Sequence, residues 1–302
     1  MAITAAMVKE LRDMTGAGMM DCKKALTETD GDLEKAVDVL RTKGLADLAK
    51  KAGRATNEGL VASWVSENGK IGAMVEVNCE TDFVARNAEF STFANAIAEQ
   101  VAVDAPNGVK DGESALMDLQ WKRNPSLTVQ QALGEIVGRL GENMGVSRFA
   151  RYEITGDGCI GSYIHGVGRI GVIVDIAGGE ASDPAVATLA KDVAMHIAAA
   201  TPICVRREEV PADTVEHEMS IYKAQAEQSG KPEPIQEKIA QGRLEKFYKE
   251  VCLIEQSFVK DPDKSVEQIV KDAAKATGKD LRVVRFDRFV LGETAAKEPS
   301  EA

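Results

Sequence analysis

Over residues 59–79 apolar and polar positions alternate, break at a glycine-bearing turn, and resume as a β-branched run, the pattern of a β-hairpin. The pattern returns at 158–178. GLVASWVSENGKIGAMVEVNC aligns without gaps to GCIGSYIHGVGRIGVIVDIAG with six of 21 positions identical, and Trp64/Tyr163, Lys70/Arg169, Glu76/Asp175 and Val77/Ile176 are alike in kind. A helical period follows both. Phe93, Ala94, Ile97, Ala98 and Val101 match Leu189, Ala190, Val193, Ala194 and Ile197 at one offset. Farther on, residues 128–154 align without gaps to 265–291, seven of 27 being identical. Matches that recur in the same order mark an internal duplication. Each copy reads hairpin, helix, helix, third strand. This predicts an α+β fold with two related subdomains, each a three-stranded antiparallel sheet covered by helices on one face.

The first fifty residues carry a different pattern, three short helices. Thr4 is placed to cap the first, with Met7 or Val8, Leu11 and Met14 facing inward. Thr15-Gly-Ala-Gly18 breaks it, Met19 to Leu26 forms a second, and Asp30-Gly31-Asp32 caps a third whose inner face is Leu33, Ala36, Val37 and Leu40. Gly44 is expected to end it, with 50–58 as a linker. The copies differ mainly around 207–251, a surplus of about 40 residues in the second. There Val215, Met219, Tyr222 and Ala226 on one segment, and Ile235, Ile239, Phe247 and Val251 on another, predict an antiparallel helical hairpin around a turn at 229–234. The expected organisation is a three-helix domain at 1–54, subdomain one at 55–154, and subdomain two at 155–206 and 252–291. The hairpin insert occupies 207–251, and a polar tail at 292–302 is expected to be disordered.

Charge narrows the function. The net charge is −11, with residues 1–54 near neutral, so the acidity belongs to the body. An acidic body is a poor match for a nucleic-acid backbone, and no direct nucleic-acid partner is expected. No apolar run approaches the roughly 20 residues of a membrane helix, and the N-terminus lacks a secretory signal, which predicts a cytoplasmic protein without a membrane partner. Five dispersed cysteines and three histidines (His165, His196, His217) suggest neither a disulfide framework nor a metal site. Two glycine patterns, Gly156-x-Gly158-x-x-Gly161 and Gly166-x-Gly168-x-x-Gly171, match a dinucleotide fingerprint in letters. Strand-like sequence follows each where that motif needs a helix, so both read as hairpin-turn glycines and no cofactor is expected.

Cys79, Asp82 and His165 could be assembled into a hydrolase only without any supporting motif, and a buried thiol with a turn histidine is the stronger reading. Thr81-Asp-Phe-Val84, just after the strand-like run 73–77, poses a sharper question. Phe83 is either core or an exposed wedge beside a carboxylate, and periodicity does not choose. Met19 and Met20 pose a similar one, since both cannot face inward on one small helix.

LRDMTGAGMMDCKKAL at 11–26 and EVNCETDFVAR at 76–86 resemble the two signatures of the bacterial elongation factor Ts family, in matching order and separation. The resemblance extends over about residues 2–291 and implies a UBA-like N-terminal domain, a duplicated core and a helical insert. It implies a guanine-nucleotide exchange factor for elongation factor Tu, with no catalytic chemistry of its own. On that pattern Thr81, Asp82, Phe83 and Val84 disturb the partner's magnesium site. Arg12, Met19, Met20, Leu140, Gly141 and His165 match partner-binding positions. Family members often carry a further C-terminal helix; ETAAKEPSEA lacks an apolar helical face, so that contact is expected to be absent or replaced. Self-association stays open, as a homodimer or a two-to-two complex through the hairpin or the core.

Overall fold

Side chains that can cap helices set many of the boundaries in the computed structural model, which describes residues 3–105, 108–228 and 230–293. Thr4 and Asp32 accept hydrogen bonds from the first turns of α1 (Ala5–Thr15) and α3 (Leu33–Lys51), with α2 (Met19–Glu28) between them. Leu11, Cys22, Ala25, Leu26 and Ala36 bury a small core among these helices. Met14 is not in it. Its side chain is 60% exposed, because α1 is only half covered by its two partners. Nor does Gly44 end α3. It lies inside the helix, buried, where the missing Cβ lets the backbone approach Gly134 of the core.

The chain then runs β1 (Glu58–Val65), β2 (Ile71–Cys79), α4 (Asp82–Ala85), α5 (Ala88–Asp104), β3 (Gly108–Asp111), α6 (Gly112–Leu116), α7 (Val129–Leu140) and β4 (Met144–Glu153). The second copy follows as β5 (Gly158–His165), β6 (Ile170–Ala177), α8 (Pro184–Ala200), the inserted α9 (Ala212–Glu227) and α10 (Glu233–Val251), β7 (Ser257–Phe258), β8 (Asp261–Ser265), α11 (Val266–Thr277) and β9 (Arg282–Val290). The sheets are antiparallel, ordered β1-β2-β4-β3 and β5-β6-β9, with β7-β8 a separate small hairpin. The duplicated meander is present in both. The first copy adds β3 as a short edge strand from the segment between its helices, where the sequence offered no alternation long enough to read.

Period-two patterning assigns the faces. Leu60, Ala62, Ala73, Val75 and Val77 join α5 and α7 in one core, and Val172, Val174 and Ile176 join α8 and α11 in another. The opposite faces, carrying Val61, Met74, Ala150, Tyr152, Ile160, Ile173 and Phe289, pack sheet against sheet. The two copies meet reciprocally. Val61 N–H donates to Gly168 O at 2.7 Å and Ile160 N–H to Gly69 O at 2.8 Å, equivalent pairs, while Ser63 meets its own counterpart Ser162 at 3.3 Å. Both middle strands slip register at matching points, Glu76/Val77 and Asp175/Ile176. At those points a buried carboxylate pairs with an arginine of the third strand: Glu76 with Arg148 at 2.8 Å, and Asp175 with Arg285 at 3.3 Å. Helix ends repeat too, with Thr128 and Ser265 as N-caps and Gly141 and Gly278 as left-handed C-caps.

Several glycines read from sequence as turn residues have another task. Gly166 and Gly168 do occupy the β5–β6 turn with positive φ, but Gly158, Gly161 and Gly171 lie on strands. A Cβ at Gly161 would sit 2.7 Å from the Ala190 backbone, so α8 packs on β5 only where that side chain is missing. The hairpin α9–α10 rests at its base on Cys204, Val210 and Cys252. Ala240 and Leu244 are the buried residues of α10, whereas Ile235, near the turn, is 45% exposed. At the other end of the chain, Gly292 N–H donates to Glu76 and Glu293 pairs with Arg148. The remainder of the expected tail, 294–302, lies outside the described residues, as do the residues that would carry a further C-terminal helix.

Candidate functional site: the corner after β2

Strand β2 ends at Cys79, and the chain must turn before α5 begins at Ala88. Two caps in quick succession make the turn. Thr81 is extended, and its Oγ1 accepts from Val84 N–H to start α4; Asn87 accepts from Glu89 N–H to start α5. Val84 and Ala85 are buried in the first core and pin the single turn of α4. A helical step of about 100° per residue then sends the preceding side chain away from the core. Phe83 is 83% exposed, more than any other large apolar residue among those described. Beside it Asp82 pairs with Arg86 at 3.0 Å.

The corner is also held from below. The carboxylate of Glu142, just past the Gly141 cap of α7, accepts from Thr81 N–H at 3.0 Å and from Thr81 Oγ1 at 2.6 Å. Glu80 reciprocates by accepting from Asn143 N–H at 2.6 Å, and that bond holds its carboxyl below the usual range. Asn143 Nδ2 donates to Arg54 O, and Arg54 pairs with Glu80 at 3.3 Å. The Thr81 carbonyl accepts from Ala85 N–H and from the Cys79 thiol. Every polar group of Thr81 is therefore engaged. The sequence does not single out Glu142 and Asn143, and Glu80 stands out only as part of the 76–86 signature, because the partners that give them their roles lie some sixty residues away in the chain.

The remaining candidate residues lie apart in role. Arg12, Met19 and Met20 are exposed on α1 and α2, and Met14 joins them at the surface. Leu140 is half-buried against the first core, and Gly141 ends α7 with φ of 79°. His165 is exposed at the end of β5, its Nδ1 3.0 Å from the Tyr163 hydroxyl, next to the exposed Val167 of the turn. Cys79 is fully buried, and burial first, then the Glu142 charge, push its thiol up to about 12. It stays protonated and unreactive at neutral pH. Its hydrogen bond goes to Thr81 and that of His165 to Tyr163, so the two are not coupled as nucleophile and base. Among the described residues no cluster of three His, Cys, Asp or Glu could hold a metal ion, and no helix is long and apolar enough to cross a membrane.

A bare aromatic ring on a corner held by Glu142, by the Thr81 cap and by the burial of Val84 and Ala85 is the kind of feature that a surface-presenting protein offers to another macromolecule. The comparisons with known proteins agree on which one of that class. Residues 80–293, beginning at this corner, match the family model for elongation factor Ts. Elongation factor Ts of Clostridium botulinum (strain Alaska E43 / Type E3) is 50% identical over 295 residues, 98% of this chain and 95% of the relative. That of Clostridium perfringens (strain SM101 / Type A) is 51% identical over 296 residues, at 98% and 95% coverage. The Trichlorobacter lovleyi protein of the same name is 49% identical over 304 residues, at 100% and 96%. The chain belongs to the elongation factor Ts family, the translation elongation factors expected from its two signatures.

Proposed function

We propose that this chain is the guanine-nucleotide exchange factor of elongation factor Tu, a cytoplasmic protein that accelerates GDP release by contact alone. The observation that carries the reading is the exposure of Phe83 on a pinned corner. A GTPase holds GDP largely through its phosphates, by backbone N–H groups and magnesium. The Phe83 ring enters between helices of the partner at the magnesium end, and Asp82 acts beside it. Releasing Asp82 from Arg86 costs little, since an exposed pair of this kind contributes roughly 0–1 kcal/mol. Because linkage is reciprocal, a protein that binds the nucleotide-free GTPase more tightly weakens GDP by the same factor.

Arg12, Met19 and Met20 dock on another face of the nucleotide-binding domain. Exposed, unbranched methionines suit such a contact because they adapt to an apolar surface. Leu140–Gly141 and His165 supply the other contacts, the latter toward the partner's far domain. The α9–α10 hairpin or the core offers a route to a homodimer or a two-to-two complex. The test is release of a fluorescent GDP analogue from elongation factor Tu, with the wild type and with Phe83→Ala. Acceleration lost in the variant supports the exchange reading and the wedge together. Acceleration retained moves the mechanism to other contacts, and none from a folded wild type refutes the exchange reading.

A further inference from the structure

We infer that Glu142 is the positioning residue of the Phe83 corner: its carboxylate, reaching from the end of α7, fixes the presentation of the ring. The inference rests on the exchange reading above. A four-residue helix has no stability of its own, since a single turn does not offset the cost of nucleation. Val84 and Ala85 anchor one side of α4 in the core, and the turn's own cap and backbone bonds hold it only relative to Thr81. Glu142 ties Thr81 itself to the end of α7 with two bonds to one residue.

The arrangement of hydrogens sharpens the assignment. The Thr81 hydroxyl has one hydrogen, which it gives to Glu142 Oε1, leaving its oxygen to accept from Val84 N–H at 3.4 Å. A carboxylate can only accept, so it fixes the hydroxyl in the orientation the cap needs and polarises it. The same carboxylate takes Thr81 N–H, so it sets both the backbone and the side chain of the N-cap. A second, independent observation comes from the duplication. In the second copy the residue equivalent to Glu142 is Lys279, one past the matching Gly278 cap. It bonds Asp183, the N-cap of α8, at 3.1 Å. The loop after the second helix thus tethers an N-cap of the strand-to-helix corner in both copies, by a carboxylate on the neutral Thr81 in the first and by an ammonium on the Asp183 carboxylate in the second. Only the first copy places an exposed aromatic on the tethered corner.

Preorganising a contact residue raises the rate of the step it drives more than it changes affinity made elsewhere. The test uses the full-length protein as Glu142→Ala, Glu142→Gln, Phe83→Ala, Lys279→Ala and the double variant Glu142→Ala/Phe83→Ala. Hydrogen exchange of the 81–86 amides in the free protein reads the corner directly. Stopped-flow GDP release from elongation factor Tu reads the maximal rate and half-saturating concentration. Loss of charge-assisted bonds predicts exchange about tenfold faster or more at 81–86 in Glu142→Ala. The maximal release rate should fall by a similar factor with half-saturation little changed. Glu142→Gln should recover part of both, because its oxygen still accepts from Thr81 N–H while its amide no longer takes the hydroxyl hydrogen. Lys279→Ala should loosen the second corner and leave release unchanged. In the Phe83→Ala background, Glu142→Ala should have no further effect on release.

Unchanged protection at 81–86 in both Glu142 variants overturns the inference whatever the exchange assay shows. So do losses from Glu142→Ala and Phe83→Ala that multiply, since they would mean that Glu142 acts independently of the ring. A folded wild type that fails to accelerate release refutes the exchange reading itself, and the positioning role falls with it.

Discussion

Gly44 and Gly242 are both interior helix glycines, and substituting each by alanine should give opposite results. A Cβ built on Gly44 would lie 2.8 Å from the Gly134 carbonyl oxygen and 3.0 Å from its carbon, atoms that belong to another helix and cannot rotate aside. One built on Gly242 in α10 meets nothing within 4 Å. Alanine improves intrinsic helix stability at either site by about 1 kcal/mol. At Gly44 the α3–α7 pair must part to admit the methyl, and overpacking of that kind costs about 1–3 kcal/mol. The flanking Arg41–Glu135 contact at 3.5 Å is stretched as well. Gly242→Ala should therefore stabilise by up to about 1 kcal/mol, while Gly44→Ala should range from neutral to about 2 kcal/mol destabilising. Hydrogen exchange distinguishes them further. Gly44→Ala should lower protection across α1–α3 and α7, and Gly242→Ala should raise it in α9–α10 alone. Equal stabilisation by both substitutions would refute the close approach of α3 to α7.

Three other outcomes follow from named contacts. Phe83→Ala should cost no more than about 0.5 kcal/mol, because only the covered sixth of the ring loses burial, whereas Phe90→Ala, at 0% exposure, should cost about 3–5 kcal/mol; similar losses in thermal melts would show Phe83 to be core. Arg148→Ala removes the counter-charge of the wholly buried Glu76 carboxylate, leaving it only the Gly292 and Asn78 hydrogen bonds, and should cost about 3–5 kcal/mol by urea unfolding, with a clearly smaller loss for the equivalent Arg285→Ala, whose side chain is 44% exposed; equal losses would contradict the buried-pair account. His196 accepts from Val259 N–H on Nδ1, so Nε2 carries the hydrogen given to Gln256, and burial lowers its pKa. The folded value lies below the unfolded one, so its share of stability is whole above about pH 6.5 and declines as the pH falls below that. His196→Gln should flatten that decline in urea unfolding measured between about pH 7 and 5, and an unchanged slope would count against a neutral buried imidazole.

The sequence carried the fold where a rule of short range governs it. Alternation marked β1, β2, β5 and β6, and Thr4 and Asp32 announced their helices. It failed where geometry across the chain decides. Gly44 looks like a stop signal until Gly134 is placed against it. Met14 has the spacing of an inward residue but no helix to cover it. The corner was half legible: the TDFV segment stood out, yet only the burial of Val84 and Ala85 on the same turn shows that Phe83 points outward. Glu142 was invisible for the same reason as Gly44, its meaning residing in Thr81.

The reciprocal meeting of the two copies has a consequence for how the fold could diversify. Two identical chains joined by such a contact would have to change in concert, and each would need to find the other in solution. Carried on one polypeptide, the halves face each other at an effective concentration on the order of millimolar, so a modest interface suffices. Each half can then vary alone. One carries an exposed ring on its corner, and the other carries the α9–α10 arm, while Ser63 and Ser162 mark the axis between them.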